Sequence, residues 1–387
     1  MRTVICAGQL WDGASLLDHP VVSIEDGRIV SISAREAGEL SREAHVLDYP
    51  GATLAPAFLD VHTHGAAGHD AMEATPQALN AIGSFLAARG TASYLPTTVT
   101  APLDATLRAL SGLAGLIAQP GAPGQARPIG IHLEGPFLSH EKRGVHPPEH
   151  LLAPDLGVFD RLFEAAEGHI RLMTLAPELP GAADLAAHAT ARGVRVSLGH
   201  SNAKAAETRS AIAAGAVSAT HTFNAMRPLN HREPGILGIV LTDDDLYAEL
   251  ICDGIHTAPE LVRLWWKAKG PERAILVTDA MSATGMPDGS YQLGGFAVEV
   301  ANGRATANGV LAGSVLTLDR ALSNFVDFTG APLGQALRLV TVNPAAMLGL
   351  GEKAGRIAVG EAANLVAVDA AGKLVASIVN GHPAALN

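Results

Sequence analysis

The chain has 387 residues, of which 48% are hydrophobic and 17% charged, with a formal net charge of −11. So apolar a composition excludes a disordered chain, and the acidic balance without a basic face excludes a protein that coats nucleic acid. Two cysteines, Cys6 and Cys252, cannot build a disulfide framework; they suit a reducing compartment and read as small buried side chains.

The N-terminal MRTVICAGQLWDG lacks the sustained apolar stretch of a signal peptide, and no run approaches the roughly 20 apolar residues that span a bilayer. A soluble cytoplasmic protein with no membrane partner is expected. VVSIEDGRIVSI (21–32) places two β-rich runs around Asp26-Gly27, a hairpin signal. The C-terminal stretch 355–381 also reads as short strands broken by Gly, Asn and Asp. Neither end can close a core alone, so residues 1–52 and 346–387 are expected to meet in one small β-sandwich.

Between them, residues 53–345 alternate apolar β-type runs with Ala- and Leu-rich helical segments. Eight candidate strands fall at 54–62, 92–100, 128–134, 170–176, 195–200, 218–222, 247–252 and 273–279. Segments such as 76–90, 202–215 and 258–270 have helical apolar spacing and end at Gly. Continuous apolar strands alternating with helices imply a parallel sheet covered on both faces. Eight such units indicate a (β/α)8 barrel with its site at the C-terminal strand ends; an open doubly wound sheet is the alternative. The stretch 291–314, with turns at Asn302-Gly303 and Asn308-Gly309, reads as a β-hairpin inserted over the barrel mouth.

Histidine is abundant, at 16 residues. In LDVHTHG, His62 and His64 are two apart, which puts both rings on one face of a strand, and two converging imidazoles suit a divalent metal. Glu134, in GIHLEGPFL, ends the third predicted strand, where a carboxylate can bind or bridge metal ions. His132 shares its face one layer deeper and reads as packed inside the barrel or supporting a ligand. His200 and His221 fall where successive strands run out, and Asp279 follows the apolar run ILVT. A carboxylate there needs a cation or hydrogen bonds to satisfy it. Together these residues point to metal-dependent hydrolysis.

The strings HLEGPF, GVHPPE, SLGHS, THTFNAM, ICDGIH, LVTDAMSATG and LAGS run along essentially the whole chain. On them the sequence resembles the amidohydrolase superfamily and, within it, the N-acetylglucosamine-6-phosphate deacetylase family. LMTLAPE (172–178) offers no lysine to bridge metals from strand four, which favours a type bridged by Glu134. The resemblance implies a divalent cofactor, foremost zinc, at one or two ions per subunit. Glu134, His200 and His221 would hold the principal ion, and a second is permitted at His62, His64 and Glu134, with Asp279 as a further candidate ligand. It further implies Asp279 as general base and then acid, and His146 beside the acetyl carbonyl. A sugar-phosphate substrate would meet Val145, the Asn224 and Ala225 backbone, Arg232, Asp253, His256 and the Leu311-Ala312-Gly313 turn. The family pattern allows Arg232 to reach a neighbouring subunit's site, so a homodimer is expected, with Arg232 open to act in its own or the neighbouring site. The gluco and galacto epimers of the substrate stay open. The more distant alternatives are a deaminase or cyclic amidase on the same barrel, and a non-catalytic scaffold.

Overall fold

The computed structural model describes residues 2–34 and 45–385. Eight parallel strands form a (β/α)8 barrel: Phe58–Thr63, Thr91–Pro96, Ile131–Glu134, Ile170–Leu175, Arg195–Leu198, Ala216–Ala219, Tyr247–Ile251 and Ala274–Val277. Nearly every residue in these strands is buried, because facing strands cover one side and helices the other. The intervening helices follow ordinary start and stop chemistry. Thr75 accepts from the Ala78 N–H at 3.2 Å, Pro76 takes the first helical position, and the helix ends at Ala88 just before Gly90.

The seam between the first and eighth strands is joined in two ways. At the C-terminal end Asp279 N–H donates to the His62 carbonyl at 2.9 Å, and His64 N–H to the Ala280 carbonyl at 2.7 Å. At the other end the Leu339–Val340 turn is wedged in: Leu59 N–H donates to Val340 and Leu276 N–H to Leu339, at 2.9 and 3.0 Å. The barrel is therefore drawn together on the side that carries the functional residues.

The expected strands overrun the observed ones at most C-terminal ends. The first run, 54–62, covers parts of two strands: His45–Pro56 belongs to the terminal sheet, and the barrel strand begins at Phe58. His200, His221 and Asp279 stand two residues beyond their strands, in loops rather than within the sheet. Apolarity persists past the last ladder hydrogen bond because those loops are buried as well.

The chain ends meet in one eight-stranded mixed sheet, in which Leu365–Val368 pairs antiparallel with His45–Pro56. It encloses its own apolar cluster, including Ile5, Leu10, Val22, Leu54, Leu365 and Ile378. The Asp26-Gly27 turn joins Pro20–Glu25 to Arg28–Ala34, with φ of 47° and 75° at its two central residues, as a tight hairpin requires. The stretch expected to form a hairpin forms four antiparallel strands instead: Gly289–Leu293, Phe296–Ala301, Arg304–Ala307 and Val310–Leu311. The additional turn is Gly294-Gly295, both residues at positive φ. Among the described residues no helix is long and apolar enough to cross a membrane.

Candidate active site and metal centre

Six side chains converge at the barrel mouth, all buried. His62, in the first strand, and His64, just past its end, point the same way, with Nε2 atoms 3.3 Å apart. Asp279 Oδ1 lies 3.4 Å from His62 Nε2 and 3.1 Å from His64 Nε2. On the other side the Nε2 atoms of His200 and His221 are 3.0 Å apart, and each is 3.3 Å from Glu134 Oε1. Glu134 Oε2 turns towards the first group, 3.2 Å from His64 Nε2 and 3.6 Å from His62 Nε2. One carboxylate thus serves two triads, one oxygen to each.

The hydrogen bonds around the rings leave metal-binding lone pairs free. A backbone carbonyl can only accept, so His64 Nδ1 donates to Thr97 at 3.2 Å and His200 Nδ1 to Lys142 at 3.0 Å. In the neutral rings both Nε2 atoms then carry unprotonated lone pairs aimed at carboxylate oxygens. Glu134 Oε1 is enclosed and has no hydrogen-bond partner, which costs about 1–3 kcal/mol if nothing satisfies it. Imidazole and carboxylate donors in two such groups fit divalent cations of the zinc type.

The charges tell the same story. Burial pushes His64 down, but Asp279 and Glu134 lift it to about 9. Burial also opposes charge on His62, yet Glu134 and Asp279 raise it well above its ordinary value. Burial raises both carboxyls, and the imidazoles more than reverse it: Asp279 is held at about 2 and Glu134 well below its usual range. In the metal-free protein, protons provide the positive charge that the carboxylates demand, and a divalent ion bound there would displace them.

The loops that aim these side chains are strained. His200, His221 and Asp279 have φ of 46°, 29° and 51°, in the left-handed region that residues with a Cβ avoid.

His146 is fixed from behind. Thr100 N–H donates to His146 Nδ1 at 3.2 Å, so the ring proton sits on Nε2, which lies 3.5 Å from Glu134 Oε2. Thr100 reaches His146 because residue 135 is glycine, at φ 78°. A Cβ there would lie 2.1 Å from Thr100 Oγ1. This is the physical content of the glycine in HLEGP.

A cleft of about 290 Å³ opens above the triads. Val145, His146, Asn224, Ala225, His256, Leu311 and Gly313 line it, together with His64, His200, His221 and Asp279. Three expected substrate contacts lie elsewhere. Arg232 is exposed and outside the lining of its own chain's cleft. Ala312 is fully buried with the meander's apolar residues, its N–H bonded to the Ala305 carbonyl. Asp253 stands behind His256, with Oδ2 2.6 Å from Nδ1, and orients the ring. Burial raises the Asp253 carboxyl, but hydrogen bonds from His256 and nearby backbone N–H groups bring it below its ordinary value. The Asn224 N–H, expected to face a phosphate, already donates to the His221 carbonyl at 3.0 Å.

Sequence reading missed Asp60 and Glu249, both fully buried inside the barrel. Asp60 accepts from the Thr278 hydroxyl at 2.6 Å and the His62 N–H at 3.2 Å, tying the first strand to the eighth. Burial pushes its carboxyl up to about 6, against the pull of Thr278. The available signal was an acidic residue on the inward-facing alternation Asp60, His62, His64, and another inside the apolar strand YAELI. His132 is buried, 2.8 Å from Thr174 Oγ1, with its ring edge-on to His62.

This architecture has close parallels. An N-acetyl-D-glucosamine-6-phosphate deacetylase variant from Mycobacterium smegmatis, in complex with N-acetyl-D-glucosamine-6-phosphate, superposes with a TM-score of 0.91 at 36% identity, covering 99% of both chains. An N-acetylgalactosamine-6-phosphate deacetylase of Escherichia coli O157:H7 is 39% identical, over 92% of each chain. An N-acetylglucosamine-6-phosphate deacetylase of Lysinibacillus sphaericus is 37% identical over 86% of this chain and 85% of its own. Residues 53–385 match the amidohydrolase family. With the barrel, its buried ligand triads and these relatives in agreement, the chain belongs to the amidohydrolase family.

Proposed function

We propose that the protein hydrolyses the acetamide of N-acetyl-D-glucosamine 6-phosphate, giving D-glucosamine 6-phosphate and acetate. The observation that carries this reading is Glu134 shared between two buried triads at the floor of a cleft sized for one sugar, in a chain at 37% identity to an N-acetylglucosamine-6-phosphate deacetylase. Glu134, His200 and His221 would hold one divalent ion, foremost zinc, and His62, His64 and Asp279 a second. Such an ion, when bound, activates water at neutral pH and polarises a carbonyl.

The chain's own residues do the rest. Asp279 takes a proton from the attacking water and returns it to the departing amine. His146, held as the Nε2–H tautomer by Thr100, donates to the carbonyl oxygen as negative charge gathers there. Val145, Leu311 and Gly313 flank the sugar, while His256 and the Ala225 backbone, with the Asn224 N–H already committed to His221, face the phosphate. Arg232 lies outside its own cleft, in accord with a homodimer in which it grips the phosphate bound to the partner subunit.

The galacto epimer is the second reading, favoured by the 39% identity to an N-acetylgalactosamine-6-phosphate deacetylase. Measuring kcat/KM for both epimers, with and without phosphate and with metal content determined on the same sample, separates them. The expected result is preference for the phosphorylated gluco sugar with bound divalent ion. A strong galacto preference overturns the choice of epimer, and activity indifferent to phosphate overturns the substrate class.

A further inference from the structure

Beneath the triads a directional chain of hydrogen bonds crosses the barrel interior. The Ser197 and Ser218 hydroxyls donate to Glu249 Oε1 at 3.4 and 3.3 Å. Ser197 has a single proton, so its other contact, at 2.7 Å, must be accepted from Thr220. Thr220 in turn accepts from Thr174 at 2.8 Å, and Thr174 accepts from His132 Nε2–H at 2.8 Å. Every proton in this series points towards Glu249, so its carboxylate is the terminal acceptor.

The series satisfies only one oxygen. Glu249 Oε2 has no hydrogen-bond partner, and neither does the enclosed His62 Nδ1 that it faces at 3.7 Å. Both side chains are wholly inaccessible to solvent. Two complementary buried groups, each lacking a partner, thus stand within a few tenths of an ångström of a hydrogen bond. The corresponding ring nitrogens of His64 and His200 are met by neutral backbone carbonyls, whereas His62 alone of the three faces a carboxylate, the stronger acceptor.

We propose that Glu249 is a positioning residue for His62. It takes the Nδ1–H, holds the ring in that tautomer and turns Nε2 towards Asp279 and Glu134, strengthening the grip of the His62–His64–Asp279 triad on a divalent cation. This is the carboxylate–histidine–metal arrangement, here buried in the barrel core. The inference rests on the triad being a metal site, and its test reads metal binding, so a wrong choice of sugar leaves it standing.

The test adds Co²⁺ stepwise to metal-free wild type, Glu249→Gln and His62→Gln, following the cobalt absorption bands and calorimetric affinity. Gln keeps the Ser197 and Ser218 bonds and the volume, but offers His62 a neutral amide. Glu249→Gln is expected to weaken 10–100-fold the same ion that His62→Gln weakens, and to leave the other ion at wild-type affinity. A Glu249→Gln curve that superposes on wild type overturns the proposal. So does weakening of the ion that survives loss of His62, or a His62→Gln variant that binds every ion as wild type does. A second measurement needs no variant that might misfold: long-range ¹H–¹⁵N spectra of the zinc-loaded wild type should place the His62 proton on Nδ1, and a bare Nδ1 overturns it.

Discussion

The two triads contain the same kinds of donor and share Glu134, but the barrel supports them differently. Glu134, His200 and His221 come from the third, fifth and sixth strands, and the two histidines sit in strained loops past the strand ends. His62 belongs to the first strand itself and His64 follows its last residue, and with Asp279 they straddle the seam where the barrel closes. The seam triad is braced from below by the Asp60–Thr278 hydrogen bond; the Nδ1 atoms of His62 and His221 both lack a hydrogen-bond partner, but that of His62 faces the Glu249 carboxylate at 3.7 Å. Identical ligand types therefore need not give identical affinity, because the groups behind each ligand set its orientation and basicity. The seam triad also holds Asp279, so on the proposed function it would join metal binding to proton transfer.

The strongest way to break the comparison is to remove what the triads share. Glu134→Gln is expected to abolish stoichiometric metal binding at both and to eliminate turnover. Elemental analysis after dialysis checks this, and one ion retained at full occupancy would mean the triads are independent. Asp279→Asn should instead separate the two roles, keeping the ion at Glu134, His200 and His221 while kcat falls by about 10²–10⁴-fold. Near-normal turnover would remove Asp279 from the mechanism.

The pH dependence of the metal-free protein sharpens the contrast further. His64 is raised from about 6.5 to about 9, so its contribution to stability is complete below pH 6.5 and lost as the pH rises through 9. The metal-free melting temperature should therefore fall between pH 6.5 and 9, while the metal-loaded protein stays nearly flat. A metal-free curve that is level or rising in that window contradicts the charge assignment. The smallest expected effect lies outside both triads. Thr100→Val keeps the backbone donor to His146 but removes the hydroxyl at 2.8 Å, and should lower kcat by roughly tenfold or less with metal content unchanged. A loss of bound metal would instead place Thr100 in the support of Glu134.

Periodicity made much of this legible. The two-residue spacing of His62 and His64 puts both on one face whatever surrounds the strand, and apolar runs alternating with Gly-terminated helices lead to the barrel. The strand count held, while the ends shifted because buried loops continue the apolar pattern after hydrogen bonding has stopped. An acidic residue inside the apolar run YAELI marks Glu249 as buried, but nothing local names its partner, a histidine 187 positions away (249 − 62). Thr100 escaped notice for the same reason: its partner, His146, lies on a different loop. Arg232 was legible as a cation that a neighbouring subunit's site could use, and it lies outside the lining of its own chain's cleft.

By itself, then, the sequence determined the barrel, the joining of the two chain ends and the set of candidate metal ligands. Those follow from local spacing, strand and helix signals and motif chemistry. Only the tertiary structure decided how Glu134 divides its two oxygens between the triads, that Asp60 ties the first strand to Thr278 and Glu249 faces His62, and that Thr100 sets the tautomer of His146. Each of these is a contact between strands or loops far apart in the chain, and such contacts exist only once the first and eighth strands have met.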